Sequence, residues 1–358
     1  MSNDPRDLDG GRLANALRVL SRDPKLRSDL IDWLLKAENT LDYPGAVRAE
    51  ITGPIIDALH TDDDRYTKYL ADGTKFEFFY RTKIARDFLL APGKPTHVWE
   101  PQTTRLLQHL TRISQHDVLI GGAYFGDHAI GLAKIAHPVG RLVHCFEPNT
   151  DQLQMLEVNA RINNLDNVRP SGKGLYNQSS KRLELQGFDS FANAVESKDD
   201  ASGFETVTID DYCAAVKARL SVIMIDIEGG ELAALQGAGK TLDQDRPNIV
   251  FEVHRDYVDW SNGLVNTPIG QYLTSKGYTL FAVRDFNTNQ EMGDRAVELI
   301  PAATVYLEGP SHGFNMLAVT DVKTIADPLF RQVPGVSPKL LRHKAPELHH
   351  PVDGMPPA

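Results

Sequence analysis

Four short stretches of the chain combine residue types that can do chemistry. The first, Ile120-Gly121-Gly122-Ala123-Tyr124-Phe125-Gly126-Asp127, follows an apolar run. Its glycines let the backbone turn tightly and come close to a bound molecule. The spacing Gly122-x-x-x-Gly126 is not the G-x-G-x-x-G that seats a pyrophosphate on a helix N-terminus, which disfavours a nicotinamide or flavin dinucleotide. The second, Cys145-Phe146-Glu147-Pro148-Asn149, ends another apolar run with a carboxylate. Glu147 lies about 25 residues beyond Gly122, close to the roughly 20-residue offset at which an acid meets a ribose diol in dinucleotide folds. Pro148 stops the strand there, so the carboxylate projects into the crevice beyond the sheet. A plain turn or a surface glutamate explains either piece alone; together they point to a nucleoside.

The third stretch is Asp226-Ile227-Glu228-Gly229-Gly230-Glu231, three carboxylates around a Gly-Gly turn at a strand end. Such charge density is costly unless a substrate, a cation or a helix N-terminus uses it. Glu231 fits the first turn of the next helix, whereas Asp226 and Glu228 are expected to face the crevice. In the fourth, Phe251-Glu252-Val253-His254, strand alternation sends Glu252 and His254 to one face. A histidine beside a carboxylate is a candidate general base. Asp226, Glu252 and His254 are equally a mixed oxygen and nitrogen set for a divalent cation, and a packed core histidine is the plain alternative.

These stretches need a scaffold that brings strand ends together. Apolar runs at 117–120, 141–146, 168–175, 222–225, 248–251, 278–283 and 314–319 alternate with helical segments. Short, continuous apolar strands with helical connections make a parallel sheet covered on both faces. The pattern predicts an α/β, seven-stranded, doubly wound Rossmann-like sheet whose ligands bind beyond the carboxyl ends of its strands. A helix over 103–113 precedes it.

Ahead of this core, residues 11–37 show helical leucine spacing interrupted at Asp23-Pro24, which predicts two helices, and a further helix fits 45–60. Asp72-Gly73 within 69–78 is a β-hairpin turn. The expected division is a mainly helical region with a hairpin at 1–98, the α/β domain at 99–320, and a proline-rich arm at 321–358 that is extended or disordered. His343, His349 and His350 in that arm are expected to be solvent-exposed rather than metal-bound.

Of the 358 residues, 41% are hydrophobic and 24% charged, an ordinary globular composition. A net charge of -10 repels phosphate backbones, so nucleic acid is not an expected partner. Two cysteines, Cys145 and Cys213, far apart and in apolar contexts, read as buried thiols of a reducing compartment. The polar opening residues are unlike a signal peptide, and no stretch is long and apolar enough to span a membrane. Cytoplasm is the expected location; a homo-oligomer is compatible with the sequence.

The ordered series of motifs resembles the FkbM family of S-adenosylmethionine (AdoMet)-dependent methyltransferases. The resemblance runs from Trp99-Glu100-Pro101 through 118–126, Phe146-Glu147-Pro148-Asn149, 159–164, Val207-Thr208-Ile209-Asp210-Asp211-Tyr212, 225–231 and Phe251-Glu252-Val253-His254. It implies a class I methyltransferase sheet, mostly parallel with an antiparallel last strand, and AdoMet as methyl donor. It also implies O-methylation of a hydroxyl on a sugar, glycan or secondary metabolite. Cofactor contacts implied or read from the turns are Glu100, Gly122, Ala123, Tyr124, Gly126, Asp127, Glu147, Pro148 and Asn149. The acceptor side falls to Asp226, Glu228, Glu252 and His254, with His254 the first candidate base, oriented by Glu252. Ile120 stands where the family carries an Asp that holds the methionine end of the cofactor, and that duty is expected to pass to Asp127, Asp226 or Glu100. The alternative expectation is a catalytically silent binding or assembly module that keeps the fold.

Overall fold

The Asp23-Pro24 break is a helix boundary: the Asp23 carboxylate accepts from the amides of Lys25 and Leu26, separating α1 (Gly10–Leu20) from α2 (Pro24–Glu38). A π-helical turn, Arg48–Thr52, runs into the short α3 (Gly53–Asp57), where one longer helix was expected. The hairpin forms as β1 (Arg65–Tyr69) and antiparallel β2 (Lys75–Phe79), with Gly73 at φ 83 in the turn. A helix that the sequence pattern did not show, α4 (Lys83–Leu90), follows with Thr82 as its N-cap. The computed structural model describes residues 10–186, 193–196, 203–308 and 313–356; the polar opening residues 1–9 and Pro357 lie outside them.

The α/β core begins with α5 (Pro101–Ile113), β3 (Asp117–Gly121), α6 (Ala129–Ala136), β4 (Val143–Phe146), α7 (Thr150–Ile162) and β5 (Val168–Ser171). Four short strands come next: β6 (Gly174–Leu175), β7 (Arg182–Gln186), β8 (Asn193–Glu196) and β9 (Phe204–Val207). Then follow α8 (Ile209–Val216), β10 (Leu220–Ile225), α9 (Glu231–Gln236), α10 (Gly239–Gln244), β11 (Asn248–Val253), α11 (Pro268–Ser275) and β12 (Thr279–Val283). The chain continues through β13 (Val297–Pro301), β14 (Phe314–Val319), β15 (Phe330–Gln332) and α12 (Pro346–His349).

The main sheet has the order β15-β13-β12-β14-β11-β10-β3-β4-β5. All seven expected runs contribute to it, but the sheet has nine strands, because β13 and β15 extend one edge. The run 168–175 divides: β5 stays in the main sheet, while β6 joins β9, β7 and β8 in a small second sheet. Strands β5, β4, β3, β10 and β11 are mutually parallel, and β14 runs antiparallel between β11 and β12. From β3 the chain winds outward to β4 and β5, then returns to the other side through β10, so strand order reverses between β3 and β10. Ligands bind at such a switch point.

Strand alternation divides β3 between two cores: Val118 and Ile120 join one cluster, Leu119 the other. The first cluster also contains Phe76, Phe78 and Phe88 together with Leu106 and Leu156, so one continuous core crosses the boundary expected at residue 98. The hairpin is fixed by two side-chain amides one turn apart, Asn159 on α7 and Asn163 at its C-cap. Asn159 accepts from Glu77 N (2.8 Å) and donates to Glu77 O (2.9 Å), and Asn163 does the same for Lys75 (2.9 and 2.7 Å). The two side chains replace the missing neighbour strand along the open edge of β2.

The proline-rich arm is ordered, contrary to expectation. β15 pairs parallel with β13, and Asp285 at the end of β12 exchanges backbone hydrogen bonds with Pro338 and Leu340. Arg284, fully buried, binds Glu298 (2.6 Å), Ser337 O (3.1 Å) and Leu348 O (2.8 Å). His349 is buried too, between Lys339 O (3.0 Å) and Glu308 (3.2 Å), while His343 and His350 are partly buried, so the expected solvent-exposed histidines are not found. Prolines removed the ladder donors but not the packing; single side chains hold this segment instead. Both cysteines are free and buried, as expected. No helix among the described residues is long and apolar enough to cross a membrane.

Candidate active site

The glycine turn after β3 is held from both sides. The amides of Gly122 and Ala123 both donate to Phe146 O (2.9 and 3.1 Å) at the end of β4, and Asp226 N donates to Gly121 O (3.0 Å). Gly122 has φ 75, and a Cβ there would lie 1.7 Å from Asp226 O, so only glycine lets β3 and β10 close at the switch point. Glu147 locks the same turn: one carboxylate oxygen accepts from Tyr124 N and the other from Asn149 N, both at 2.8 Å.

A cavity of about 440 Å³ opens beside this turn, within the roughly 300–1,000 Å³ usual for small-molecule sites. Of the expected cofactor residues, Glu100, Gly122, Tyr124, Asp127, Glu147, Pro148 and Asn149 line it. Ala123 and Gly126 do not. Ala123 is buried in the core, and Gly126 is where Leu156 and Ile130 pack against the turn, so their place is structural. Asn149 has a second task, accepting from Asp151 N and Gln152 N to cap α7. Ile120 is buried in the first core cluster, away from the cavity lining.

All four expected acceptor-side residues, Asp226, Glu228, Glu252 and His254, line the same cavity. Asp226, Glu228 and Glu252 place carboxylate oxygens within 4.8 Å of one another. Burial, reinforced by Asp127, raises Asp226 to about 6, and Asp226 hydrogen-bonds Glu252. Burial and the neighbouring carboxylates hold Glu252 well above the usual range. Two acids so placed share a proton instead of both ionising. Glu228, at φ 53, is raised to about 8 by burial and by the charges of Asp226 and Glu231. Glu231 faces inward as a brace: its carboxylate accepts from Ile227 N (2.9 Å) and Gly229 N (3.1 Å) and fixes the Gly229-Gly230 turn.

His254 is oriented differently from expectation. Its Nδ1 accepts from Asp256 N (3.1 Å), and its paired carboxylate is Asp256 (3.7 Å), not Glu252. With Nδ1 as acceptor the ring proton sits on Nε2. Burial lowers its pKa further.

Around the expected Glu100 and Asp127 stand lining residues that the sequence did not disclose, among them His128, Leu183, Phe204 and Lys83. Glu100 adopts φ 45 just before α5, and its carboxylate accepts from Asn315 Nδ2 (2.7 Å). Because Glu100 turns away, α5 takes its cap from Asp285, which accepts from Gln102 N (3.1 Å) and Thr103 N (2.7 Å). Burial holds Glu100 well above the carboxylate range, raises Asp127 to about 7, and lowers His128 to about 4. The β6–β9 sheet adds an apolar wall of Leu175, Leu183, Leu185 and Phe204. Thr82 hydrogen-bonds the Tyr124 hydroxyl (2.9 Å), which brings Lys83 and Ile84 of α4 over the turn.

Residues 121–280 match the family model described as the methyltransferase FkbM domain. No curated protein matches the chain in sequence. Among solved structures, the FkbM methyltransferase of Methylobacillus flagellatus KT is similar at 17% identity and TM-score 0.34, over 57% of this chain and 43% of that one. The tRNA (uracil-54, C5)-methyltransferase of Pyrococcus abyssi is similar at 12% identity and TM-score 0.34, over 72% of this chain and 44% of that one. The chain thus spans less than half the length of either. The matched residues 121–280 include the glycine turn, Glu147 and the acidic cluster, while Lys83, Trp99, Glu100, Asn287 and Gly313 reach the cavity from outside that stretch.

Proposed function

We propose that the chain binds AdoMet in this cavity and transfers its methyl group to a hydroxyl of a small-molecule or glycan acceptor. The observation that carries the reading is that one cavity holds both a carboxylate braced against the glycine turn and a proton-sharing carboxylate pair. The residues fit the cofactor chemically. Glu147 brings a carboxylate to the cavity wall for a ribose diol, and Phe146 and Leu175 offer an apolar surface to a purine. Glu100 and Asp127 supply the acceptors that Ile120 cannot, for the ammonium of the methionine end.

When bound, AdoMet contributes an electrophilic methyl group. The chain has to align a hydroxyl with it and remove the proton. Asp226 is the ionised member of its pair at neutral pH, and Glu252 retains the shared proton, so Asp226 takes the hydroxyl proton. His254, carrying its proton on Nε2, serves as a donor that orients the acceptor, and Glu228 flanks the same end. The structural support for a base is thus stronger for Asp226 than for His254.

A divalent cation held by Asp226, Glu228 and Glu252 is the second reading, favoured by their close oxygens. Turnover lost in EDTA and restored by Mg²⁺ would establish it. The primary test is isothermal titration with S-adenosylhomocysteine (AdoHcy). Wild-type binding with a weakened Glu147→Ala variant is the expected result. An undiminished variant removes the ribose assignment, and no binding by the wild type favours the silent module.

A further inference from the structure

Among the described residues, Lys83 is the one lining cation from the region ahead of the α/β core, and it stands at the first position of α4. Its ammonium lies 5.4 Å from the centre of the Trp99 ring, itself part of the cavity wall. Among the described residues no hydrogen bond or ion pair engages this ammonium. Asp87, one turn further along α4, is taken up by Arg86, whose Nε donates to it at 3.1 Å. Burial lowers the ammonium below its ordinary value, outweighing the charges of Asp87 and, more weakly, Glu100, which favour it. The position is fixed rather than incidental, because Thr82, the preceding residue, is hydrogen-bonded to Tyr124 in the glycine turn. Lys83 therefore lines the same cavity as the acidic Glu100 and Asp127.

A partly desolvated ammonium that no carboxylate contacts directly gains from a ligand that brings an anion to it. The methionine end of AdoMet carries one ammonium and one carboxylate side by side. Glu100 and Asp127 suit the first; for the second, the lining offers Lys83, since Lys173, the other lysine on the lining, is paired with Glu205 at 3.0 Å. We infer that Lys83 binds the carboxylate of the methionine moiety, so that the region ahead of the FkbM domain completes the cofactor site. The inference rests on the AdoMet reading above and adds a residue to it.

The test compares two ligands that share the nucleoside. AdoHcy carries the amino-acid end; 5′-methylthioadenosine lacks it. Titration of the full-length chain with each is expected to show that Lys83→Met weakens AdoHcy by roughly 30-fold or more while leaving methylthioadenosine unchanged. Retained methylthioadenosine binding also demonstrates that the variant is folded. Lys83→Arg, which keeps the charge, is expected to recover most of the AdoHcy affinity. Equal losses for both ligands, or no loss for either, overturn the assignment while leaving AdoMet binding standing. Failure of the wild type to bind AdoHcy overturns the cofactor reading itself, and this assignment with it.

Discussion

At the scale of single residues, the site is governed by carboxylates that burial keeps from ionising freely. If Asp226 is the base, methyl transfer must rise with pH as that group ionises, with a midpoint near about 6. Measured by AdoHcy release against hydroxylated acceptors, Asp226→Asn is expected to lose the rise and about 10²- to 10⁴-fold in turnover. A stability effect follows from Glu228, whose carboxyl is raised from 4.5 to about 8 by burial and by Asp226 and Glu231. The folded chain keeps that proton where the unfolded chain has released it. Its contribution is therefore complete below about pH 4.5 and is lost as pH climbs toward 8. The melting temperature of Glu228→Gln should accordingly gain on wild type across that interval, read by thermal unfolding at several pH values. A constant difference would mean Glu228 is ionised throughout.

At the scale of elements, the clearest dependence is of the arm on the Arg284–Glu298 pair. Both side chains are nearly inaccessible, at 0% and 2% exposure, so Arg284→Met leaves a buried charge without its partner. The expected loss is about 3–5 kcal/mol in urea unfolding, with the arm becoming sensitive to limited proteolysis. This element also marks the limit of what the sequence disclosed. The parallel strands were legible because burial on both faces forces unbroken apolar runs, and the glycine turn, Glu147 and the Asp226 cluster were legible because strand ends carry the chemistry. β13 escaped notice because buried Glu298 interrupts its apolar pattern, and the arm because prolines argue against ladders without revealing side-chain anchoring. Lys83 and His128 are ordinary residues in sequence; only tertiary packing places them on the cavity. The tautomer of His254 depends on a backbone amide two residues away, which no alternation pattern encodes.

At the scale of the whole molecule, the hairpin and α4 are part of the core. Phe78 lies 5.7 Å and Phe76 6.1 Å, ring centre to ring centre, from Phe125 in the glycine turn. A truncated chain of residues 99–320 would expose that aromatic face, and is expected to aggregate in size-exclusion chromatography and to bind no AdoHcy. A monodisperse, AdoHcy-binding fragment would show that the front region is dispensable. The same architecture governs how the molecule is made. Asn289 bonds Asp87 O across 202 positions, and Thr96 bonds Glu291 across 195. Pairings this remote slow folding, because a long loop must close before any contact rewards it. On the ribosome, the helix bearing Lys83 emerges long before the strands that will receive it, and the nascent chain must keep those aromatic side chains from finding other partners in the meantime.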